Sequence, residues 1–504
     1  MKKILSFSAP LIYLASCLFL LWLGLNRLVA RDEGFYLMAA KLVMDGNLPY
    51  LDFFYPQMPL FPYLYGIWLE IFGWSWSSAR IFSSLLSIGC FSVLCLSLRN
   101  RVVPALACLG LLLFVCSELV VGWYPTAQTY SATTLLCLLA YYLIQREDLA
   151  HSTGRIVLVA LLLGLTLNFR LFYLSILPLF ALQIWYRAST ARVRMRNLSY
   201  FAFGLALTLC PILILTVSDW SAVWFNNWGY HAVRSEMSAA EIYAHRVEML
   251  SILAGVLPDE RLDGWQHGFL FFGALLHAIF RLFQRRLPDL AFGIGLVLFV
   301  SSLLPVPIYL QYFCVSVPFF IISTILFVAE ITTWVGSHKK ILIPACLFFI
   351  AILVPYFHGT YAATVRYVKT GVGVASVRTP DLSLAQLDNV RSVSSIIREQ
   401  SEPKEKVLAQ WPGYLIESNA SAYPGTENHF WIRAGDALDR ADRKKYKVVN
   451  RLEYQQILDD PEVKLVVIEE SRLKRFFPKN ILRDRGFQKT KEQGGVLIYQ
   501  RVGE

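Results

Sequence analysis

The sequence predicts an α-helical polytopic membrane protein with about eleven transmembrane helices, followed by a small extramembrane α/β domain. Of the 504 residues, 56% are hydrophobic and only 16% are charged, whereas a soluble domain has roughly a quarter of its residues charged. Residues 4–29, 81–98 and 103–121 are almost free of charge, while residues 358–504 have the composition of a soluble protein. Apolar stretches of about 18–20 residues are long enough to cross a hydrocarbon core of roughly 30 Å.

The apolar stretches predict a transmembrane domain over residues 1–357, with residues 358–504 as a separate domain. The first stretch follows Lys2 and Lys3 as a signal peptide would, but it is long and has no small-x-small cleavage site. We therefore interpret it as an uncleaved first span. In order, the predicted spans are 8–29, 79–98, 103–121, 128–145, 156–169, 171–186, 198–218, 266–281, 289–304, 309–330 and 341–357.

The basic residues predict the orientation of the chain. Every second connection is rich in Lys or Arg, and the connections between these carry few for their length. Because basic connections remain in the cytoplasm, the amino terminus is predicted inside and residues 358–504 outside. This placement also accounts for the net charge of +11, so we expect no nucleic-acid partner.

Two outer connections, 31–78 and 219–265, are long. The first begins with a helical pattern over Glu33–Asp45, which Gly46 and Asn47 would stop, and then becomes rich in proline and aromatic residues. This pattern predicts a helix lying along the membrane interface and an irregular return to the membrane. The second connection has an aromatic run followed by His231 and Arg234.

The carboxy-terminal residues predict a small α/β domain without a recognisable catalytic signature. The segment Leu382–Gln400 has helical periodicity. Three short segments have the pattern of strands, namely Val407–Gln410, Val463–Ile468 and Gly495–Gln500.

Asp32 and Glu33 form an acidic pair where the first predicted span ends on the outer side. In a structural interpretation, Asp32 caps the interfacial helix and Glu33 favours its positive end. In a catalytic interpretation, Asp32 is a general base at the lipid–water boundary, where a lipid-borne substrate and a polar acceptor can meet. Nearby cations such as Arg31 would then hold its charge.

The loop behind this pair resembles that of a known enzyme superfamily. Residues 31–40 read RDEGFYLMAA and residues 46–60 read GNLPYLDFFYPQMPL. This combination of an acidic pair, a helix ending in glycine and a proline-rich return resembles the GT-C glycosyltransferases. It is similar in particular to the group of the aminoarabinose transferase of lipid A, the protein O-mannosyltransferases and the rhizobial lipopolysaccharide transferases. The resemblance implies a GT-C type fold and a polyprenyl-phosphate sugar as donor.

The resemblance also implies roles for residues of this loop. Asp32 would be the catalytic base that takes the proton of the acceptor hydroxyl as its oxygen attacks C1 of the sugar, with inversion. Glu33 would orient the acceptor or support the base. Tyr55 and Gln57 would contact the donor, although the family often has Lys or His where this chain has Gln57.

Four further residues are candidates for supporting roles. Arg170, between two apolar helices, either clamps the donor phosphate or is an interface anchor whose head group reaches water. His231 and Arg234, one helical turn apart, either close over the donor or belong to an amphipathic surface helix. Glu118 either contacts substrate or is a buried partner for Arg170 or another cation.

The sequence gives little support for a metal cofactor. Many relatives have an acid near the outer end of the fourth span, where this chain reads WYPTAQ over residues 123–128. The nearest acid is Glu118, and none of the eight histidines belongs to a metal-binding motif. A divalent metal remains compatible with the family, but no cofactor is predicted.

Residues and resemblance together predict an enzyme of the bacterial inner membrane. It would move a sugar from a polyprenyl-phosphate donor to lipopolysaccharide, another cell-envelope glycan or a protein. The alternative is a non-enzymatic transporter of lipid-linked glycans or small solutes, and a third is a GT-C relative acting only as a scaffold. A transporter should have related halves and ionisable or broken sites near mid-membrane, and the sequence shows no such halves.

Overall fold

The chain divides into two compact units, each assembled from three segments. Unit 1 contains Met1–Leu25, Ser83–Cys210 and Met237–Lys369, and unit 2 contains Asn26–Phe82, Pro211–Glu236 and Thr370–Glu504. The computed structural model describes residues 2–146, 152–234, 237–257, 259–260, 262, 265–336, 353–374, 377 and 379–502.

Helices make up the regular secondary structure of the described residues of unit 1. Helices lie at the positions of the first ten predicted spans, while the eleventh, 341–357, lies outside the described residues except for its last turn. That turn opens a helix over 353–365. The other helices, some continuing into unit 2, are Lys2–Asn26, Trp76–Arg99, Pro104–Val115, Glu118–Trp123, Thr129–Ile144, Thr153–Phe169, Leu177–Arg187, Ala191–Ser218, Ala239–Leu253, Trp265–Phe283, Leu290–Ser301 and Val317–Gly336, with 3-10 turns at Leu171–Ile176 and Leu310–Ser316 and a π-helical turn at Arg366–Thr370.

Several of these helices have the length and composition of membrane spans. Within the described residues, four stretches are long and apolar enough to cross a membrane, or five if Pro10–Asn26 and Arg31–Met44 count as one broken span. Other apolar helices are shorter, and the predicted span 103–121 is broken at Cys116 between Pro104–Val115 and Glu118–Trp123. The chain is therefore a membrane protein, and the number of eleven spans remains a prediction.

The second long connection contains a helix that the sequence analysis missed. It covers Ala239–Leu253 and begins with a capping box, in which Ser238 Oγ accepts the Glu241 N–H (3.3 Å) and Glu241 Oε2 accepts the Ser238 N–H (2.7 Å). A serine followed three residues later by glutamate is a recognisable signal for a helix start.

Unit 2 combines the first outer loop with the carboxy-terminal residues. Its helices are Arg31–Met44, Phe61–Phe72, Trp220–Trp224, Tyr230–Val233, Leu387–Gln400, Trp431–Asp436, Arg440–Lys445, Arg451–Gln456, Glu470–Phe476 and Ile481–Asp484, with a π-helical turn at Phe225–Gly229 and 3-10 turns at Thr379–Ala385, Pro412–Leu415 and Ile457–Asp459. This grouping differs from the predicted domain boundary at residue 358. The difference arises because Phe54, Phe225 and Tyr230 form one buried apolar cluster with Ala434 and Val448.

The carboxy-terminal residues form one five-stranded sheet. The strands are β1 (Lys406–Ala409), β2 (Ser421–Ala422), β3 (Leu465–Glu469), β4 (Phe487–Gln493) and β5 (Val496–Arg501), in the order β2-β1-β3-β5-β4. β1 pairs in parallel with β2 and β3, whereas β5 is antiparallel to β3 and β4. β3 is buried along its whole length, as expected for the centre of a sheet covered on both faces.

Candidate functional site

The helix Arg31–Met44, called here the Asp32 helix, carries the acidic pair in its first turn. Ala30 precedes the helix in an extended conformation, and its N–H donates to Glu33 Oε1 at 2.8 Å. The first N–H groups of a helix lack intrahelical partners, and carboxylates are favoured beside them. Glu33 is therefore the acid that caps this end, which corrects the structural interpretation that gave the cap to Asp32.

Glu33 is also committed to a buried ion pair. Arg80 Nε donates to Glu33 Oε2 (2.8 Å) and Arg80 Nη2 donates to Glu33 Oε1 (2.6 Å), and both side chains are fully buried. Arg80 Nη1 in addition donates to the Arg27 carbonyl oxygen at 2.6 Å. Removing one partner of such a pair costs about 3–5 kcal/mol because it leaves a buried charge. Glu33 thus fixes the start of the Asp32 helix.

Asp32 has a different environment from its neighbour. Its side chain is 32% exposed, and in the described part of the chain its titratable partner is His429, whose Nε2 lies 3.5 Å from Asp32 Oδ1. Arg31, expected to hold the charge of Asp32, forms an ion pair with Glu469 and donates to Gln410 Oε1 at 3.3 Å. The Asp32 carboxylate is therefore partly exposed to solvent, while the Glu33 carboxylate is buried.

His429 reaches Asp32 from the carboxy-terminal part of unit 2. Its ring lies 4.1 Å from that of Phe430 and 5.7 Å from that of Phe35 on the Asp32 helix. Burial lowers the pKa of His429, and the neighbouring Asp32 only partly opposes this shift. The imidazole is therefore neutral near pH 7 and can donate one N–H.

The proline-rich return places Tyr55 in the aromatic wall beside the Asp32 helix. The Tyr55 ring lies 6.2 Å from that of Phe35, and its backbone N–H donates to Asn226 Oδ1 at 2.8 Å. The Tyr55 hydroxyl is buried and has no hydrogen-bond partner among the described residues. Gln57 is half-buried, and its carbonyl oxygen accepts the Tyr50 hydroxyl at 2.6 Å.

His231 and Arg234 lie at the end of one continuous helical stretch, made of Trp220–Trp224, the π-helical turn Phe225–Gly229 and Tyr230–Val233, and both are half-buried. Tyr230 anchors this segment, with its ring 5.3 Å from that of Phe54. The stretch exposes Trp220, Trp224 and Trp228 and buries Phe225 and Tyr230, so it is amphipathic, in line with the alternative interpretation of His231 and Arg234.

Arg170, in unit 1, lies at a break between two helical segments and is only 8% exposed. Its guanidinium carbon lies 4.5 Å from the ring centre of Tyr130, 4.9 Å from that of Phe172 and 5.1 Å from that of Tyr312. Nη1 donates to Thr129 Oγ1 at 2.9 Å. Stacked rings cover the faces of a guanidinium and leave its N–H edges to bind anions. The buried head group does not have the exposure that an interface anchor requires.

Glu118, also in unit 1, faces a cation. Its side chain is 1% exposed, and Arg366 Nη1 lies 3.8 Å from its Oε2. The Glu118 N–H donates to Gln266 Oε1 at 2.8 Å. This ion pair supports the interpretation of Glu118 as the buried partner of a cation. Across the described residues, no three His, Cys, Asp or Glu side chains converge as a metal centre requires.

Solved structures resemble the whole chain, although no family model and no curated protein matches its sequence. Apo ArnT from Cupriavidus metallidurans has a TM-score of 0.66 at 12% identity, with 99% of this chain and 98% of that chain covered. ArnT bound to undecaprenyl phosphate has a TM-score of 0.63 at 12% identity, with 98% of each chain covered. The chain has the GT-C fold.

A third solved structure with the GT-C fold resembles most of this chain. It is the oligosaccharyltransferase of Archaeoglobus fulgidus tethered to an acceptor peptide with the NVT sequon, with a TM-score of 0.50 at 12% identity. The alignment covers 92% of this chain and 69% of that chain. The GT-C fold predicted from residues 31–60 is thus confirmed. At such low identity the likeness concerns the fold alone, so residue roles depend on the local geometry.

Two residues of the Asp32 surroundings escaped the sequence analysis. Arg80 had a signal, since it is a charge just inside the predicted span 79–98, and such charges are rare and usually paired. His429 had none, because it follows Asn428 in a polar loop with no motif around it. Only the packing of the Asp32 helix against that loop reveals it.

Proposed function

We propose that this GT-C protein is a glycosyltransferase that moves a sugar from a polyprenyl-phosphate donor to a hydroxyl of an envelope acceptor. Asp32 takes the proton of that hydroxyl as its oxygen bonds to C1 of the sugar. The bond from C1 to the phosphate oxygen breaks, the configuration at C1 inverts, and polyprenyl phosphate leaves. A positioned base contributes about 10²–10⁴-fold to such a reaction.

The observation that carries this proposal is the contrast between the two neighbouring acids. Both oxygens of Glu33 are bound by Arg80 in a fully buried ion pair, whereas Asp32 is 32% exposed and, among the described residues, faces His429 at 3.5 Å. A base must be able to approach the acceptor proton, and Asp32 can do so. Glu33 supports the base by fixing the helix turn that carries it, which is the second of the two roles considered for it.

The donor class is supported by ArnT, which has this fold and has been crystallised with undecaprenyl phosphate. Arg170 is the proposed phosphate ligand, because a guanidinium can bind a phosphate through two parallel hydrogen bonds. Tyr55, whose buried hydroxyl has no hydrogen-bond partner among the described residues, is proposed to contact the donor sugar. Gln57, His231 and Arg234 remain proposals for donor contacts.

We further propose that the protein lies in the bacterial inner membrane, with its amino terminus in the cytoplasm. Residues 358–504 would then face the periplasm, where lipopolysaccharide or another cell-envelope glycan supplies the acceptor hydroxyl, with protein as the other acceptor class. The basic connections support this orientation.

The base is tested by Asp32→Asn in membranes supplied with radiolabelled polyprenyl-phosphate sugars. We expect transfer to fall at least about a hundredfold, because the amide cannot accept the proton. Insertion and thermal midpoint should stay unchanged, since Asp32 is partly exposed and makes one long contact. Asp45→Asn, an exposed acid at the other end of the same helix, is the matched control and should keep full activity.

Glu33→Gln separates the two acids. It leaves Arg80 buried without its anion, so we expect a lower thermal midpoint and a lower yield of folded protein. Turnover of Asp32→Asn equal to that of the unsubstituted chain would contradict the proposal. If the unsubstituted chain and the variants bind polyprenyl phosphate specifically but none of them transfers sugar, the scaffold alternative is favoured.

The phosphate ligand is tested separately with Arg170→Ala and Arg170→Lys. Loss of a charge-assisted hydrogen bond pair should raise the apparent KM for the donor by about tenfold to a hundredfold in the alanine variant. Lysine keeps the charge but loses the planar fork and the stacking, so it should restore only part of the affinity. An unchanged donor KM in the alanine variant would show that Arg170 is structural.

A further inference from the structure

We propose that His429 is a positioning residue for Asp32, so that the carboxy-terminal domain completes the catalytic site with its own side chain. This inference rests on the proposed function, since it assigns His429 to the base of that reaction. The imidazole Nε2 faces Asp32 Oδ1 at 3.5 Å. Contacts of this kind are often long in the absence of substrate and shorten when the substrate binds.

His429 stands on a rigid support. Asn428 Oδ1 accepts the Phe430 N–H at 3.0 Å, and the Trp431 N–H donates to the Asn428 carbonyl oxygen at 3.0 Å. Trp431 is 1% exposed and stacks on Tyr454, 4.6 Å between ring centres, in the core under the sheet. The imidazole is thus two residues from a core anchor, which holds its position well enough to orient a partner.

The protonation state of His429 suits this role. Its Nδ1 is buried and has no partner in the described part of the chain, so a charged imidazole would leave one buried N–H unsatisfied. A neutral ring with the proton on Nε2 leaves only a lone pair unsatisfied and gives Asp32 a donor. That hydrogen bond would fix one oxygen of Asp32 and direct the other towards the acceptor.

The Asp32 helix docks on the same domain, so both partners share one scaffold. Trp411 Nε1 donates to the Arg31 carbonyl oxygen at 2.9 Å, and Lys41 Nζ donates to the Ala420 carbonyl oxygen at 3.0 Å. A side chain at Gly34 would approach the Trp411 ring to 2.7 Å, so glycine is required for this close contact. The distance between Asp32 and His429 is therefore set by packing on both sides.

The first test compares His429→Leu with His429→Gln in the transfer assay. Leucine removes the donor, and we expect kcat to fall about tenfold to a hundredfold with a nearly constant KM. Glutamine keeps an N–H donor, so it should recover most of the rate. In a plot of kcat against pH, it should also remove the fall at acidic pH that protonation of His429 causes, called here the acidic limb. The groups facing His429 that affect this limb are Asp32, Arg31 and Arg433. Equal loss in both variants, or full activity in both, would overturn the assignment.

The second test needs no catalytic activity, so it distinguishes failure of this inference from failure of the proposed function. The titration of His429 is followed by NMR in histidine-labelled protein, with the His429→Gln variant identifying its signal. Because the Asp32 carboxylate raises the proton affinity of the ring, Asp32→Asn should lower the pKa of His429. Asp45→Asn should leave it unchanged. An identical titration in the chain with and without Asp32→Asn would show that the two residues are not coupled.

Discussion

At the scale of single residues, Asp32 and Glu33 show how adjacent acids acquire different chemistry from their surroundings. Glu33 is fully buried, and its two oxygens receive N–H donors from Ala30 and Arg80. Asp32 points to a partly exposed face where a neutral histidine is its described partner. A carboxylate that is saturated with donors cannot accept a substrate proton without breaking those bonds. The pair therefore divides into a residue held in a buried ion pair and a residue open to solvent.

Glu427, two residues before His429, leads to a pH prediction for the carboxy-terminal domain. Burial raises the pKa of Glu427 to about 7. The pKa of this carboxyl in the unfolded chain is near 4.5. Below that pH the folded and unfolded states both hold the proton, and between that pH and about 7 only the unfolded state releases it. Stability contributed by this residue is therefore complete at low pH and lost as the pH rises through about 7, by roughly 3 kcal/mol in total.

Glu427→Gln should remove this loss, because the amide stays neutral and can accept the same backbone N–H donors. We expect the variant to have a higher thermal midpoint than the unsubstituted protein at pH 8 and the same midpoint near pH 4.5. Thermal unfolding in detergent across this pH range measures the difference. Glu470→Gln, at an exposed acid of the same domain, should show no gain at pH 8, and a pH-independent difference for Glu427→Gln would contradict the prediction.

At the scale of elements, regular patterns could be predicted from the sequence, while tertiary contacts could not. The Asp32 helix was expected over Glu33–Asp45 and occupies Arg31–Met44, because its apolar periodicity and the stop at Gly46 are local signals. The three predicted strands correspond to β1, β3 and β5. The strands β2 and β4 were missed because β2 has only two residues and most of β4 is exposed and polar.

In the candidate site, too, local features could be predicted from the sequence and tertiary contacts could not. Asp32 was found because its loop has a distinctive local sequence, but its neighbours come from distant parts of the chain. Glu33 meets Arg80 from another helix, and Asp32 meets His429 from a loop nearly four hundred residues later in the chain. No sequence periodicity reports such contacts, since they depend on how elements pack. The same reason explains why Arg31 was paired with Asp32 in the prediction and with Glu469 in the structure.

At the scale of the whole molecule, the distribution of charge and the fold both divide the chain into a helical membrane part and a carboxy-terminal domain. Basic residues of the helical part recur in every second connection, where they orient a membrane protein during insertion. The carboxy-terminal sheet, with its own buried core around Leu408, Val466 and Ile468, has the composition of a water-exposed domain. An enzyme that joins a lipid-linked donor to a polar acceptor needs both environments in one chain.

The proposed orientation can be tested with single cysteines at exposed positions. Lys479→Cys, in the carboxy-terminal domain, should react with a membrane-impermeant maleimide in bacteria with a permeable outer membrane and an intact inner membrane. Gln284→Cys, in a predicted cytoplasmic connection, should react only after the inner membrane is opened, because the reagent cannot cross the bilayer. Both side chains are exposed, so accessibility within the protein does not limit either reaction. The parent chain, whose cysteines lie in apolar segments, is the control for background labelling. Labelling of Gln284→Cys before opening, with Lys479→Cys protected, would reverse the proposed orientation and place Asp32 on the cytoplasmic side.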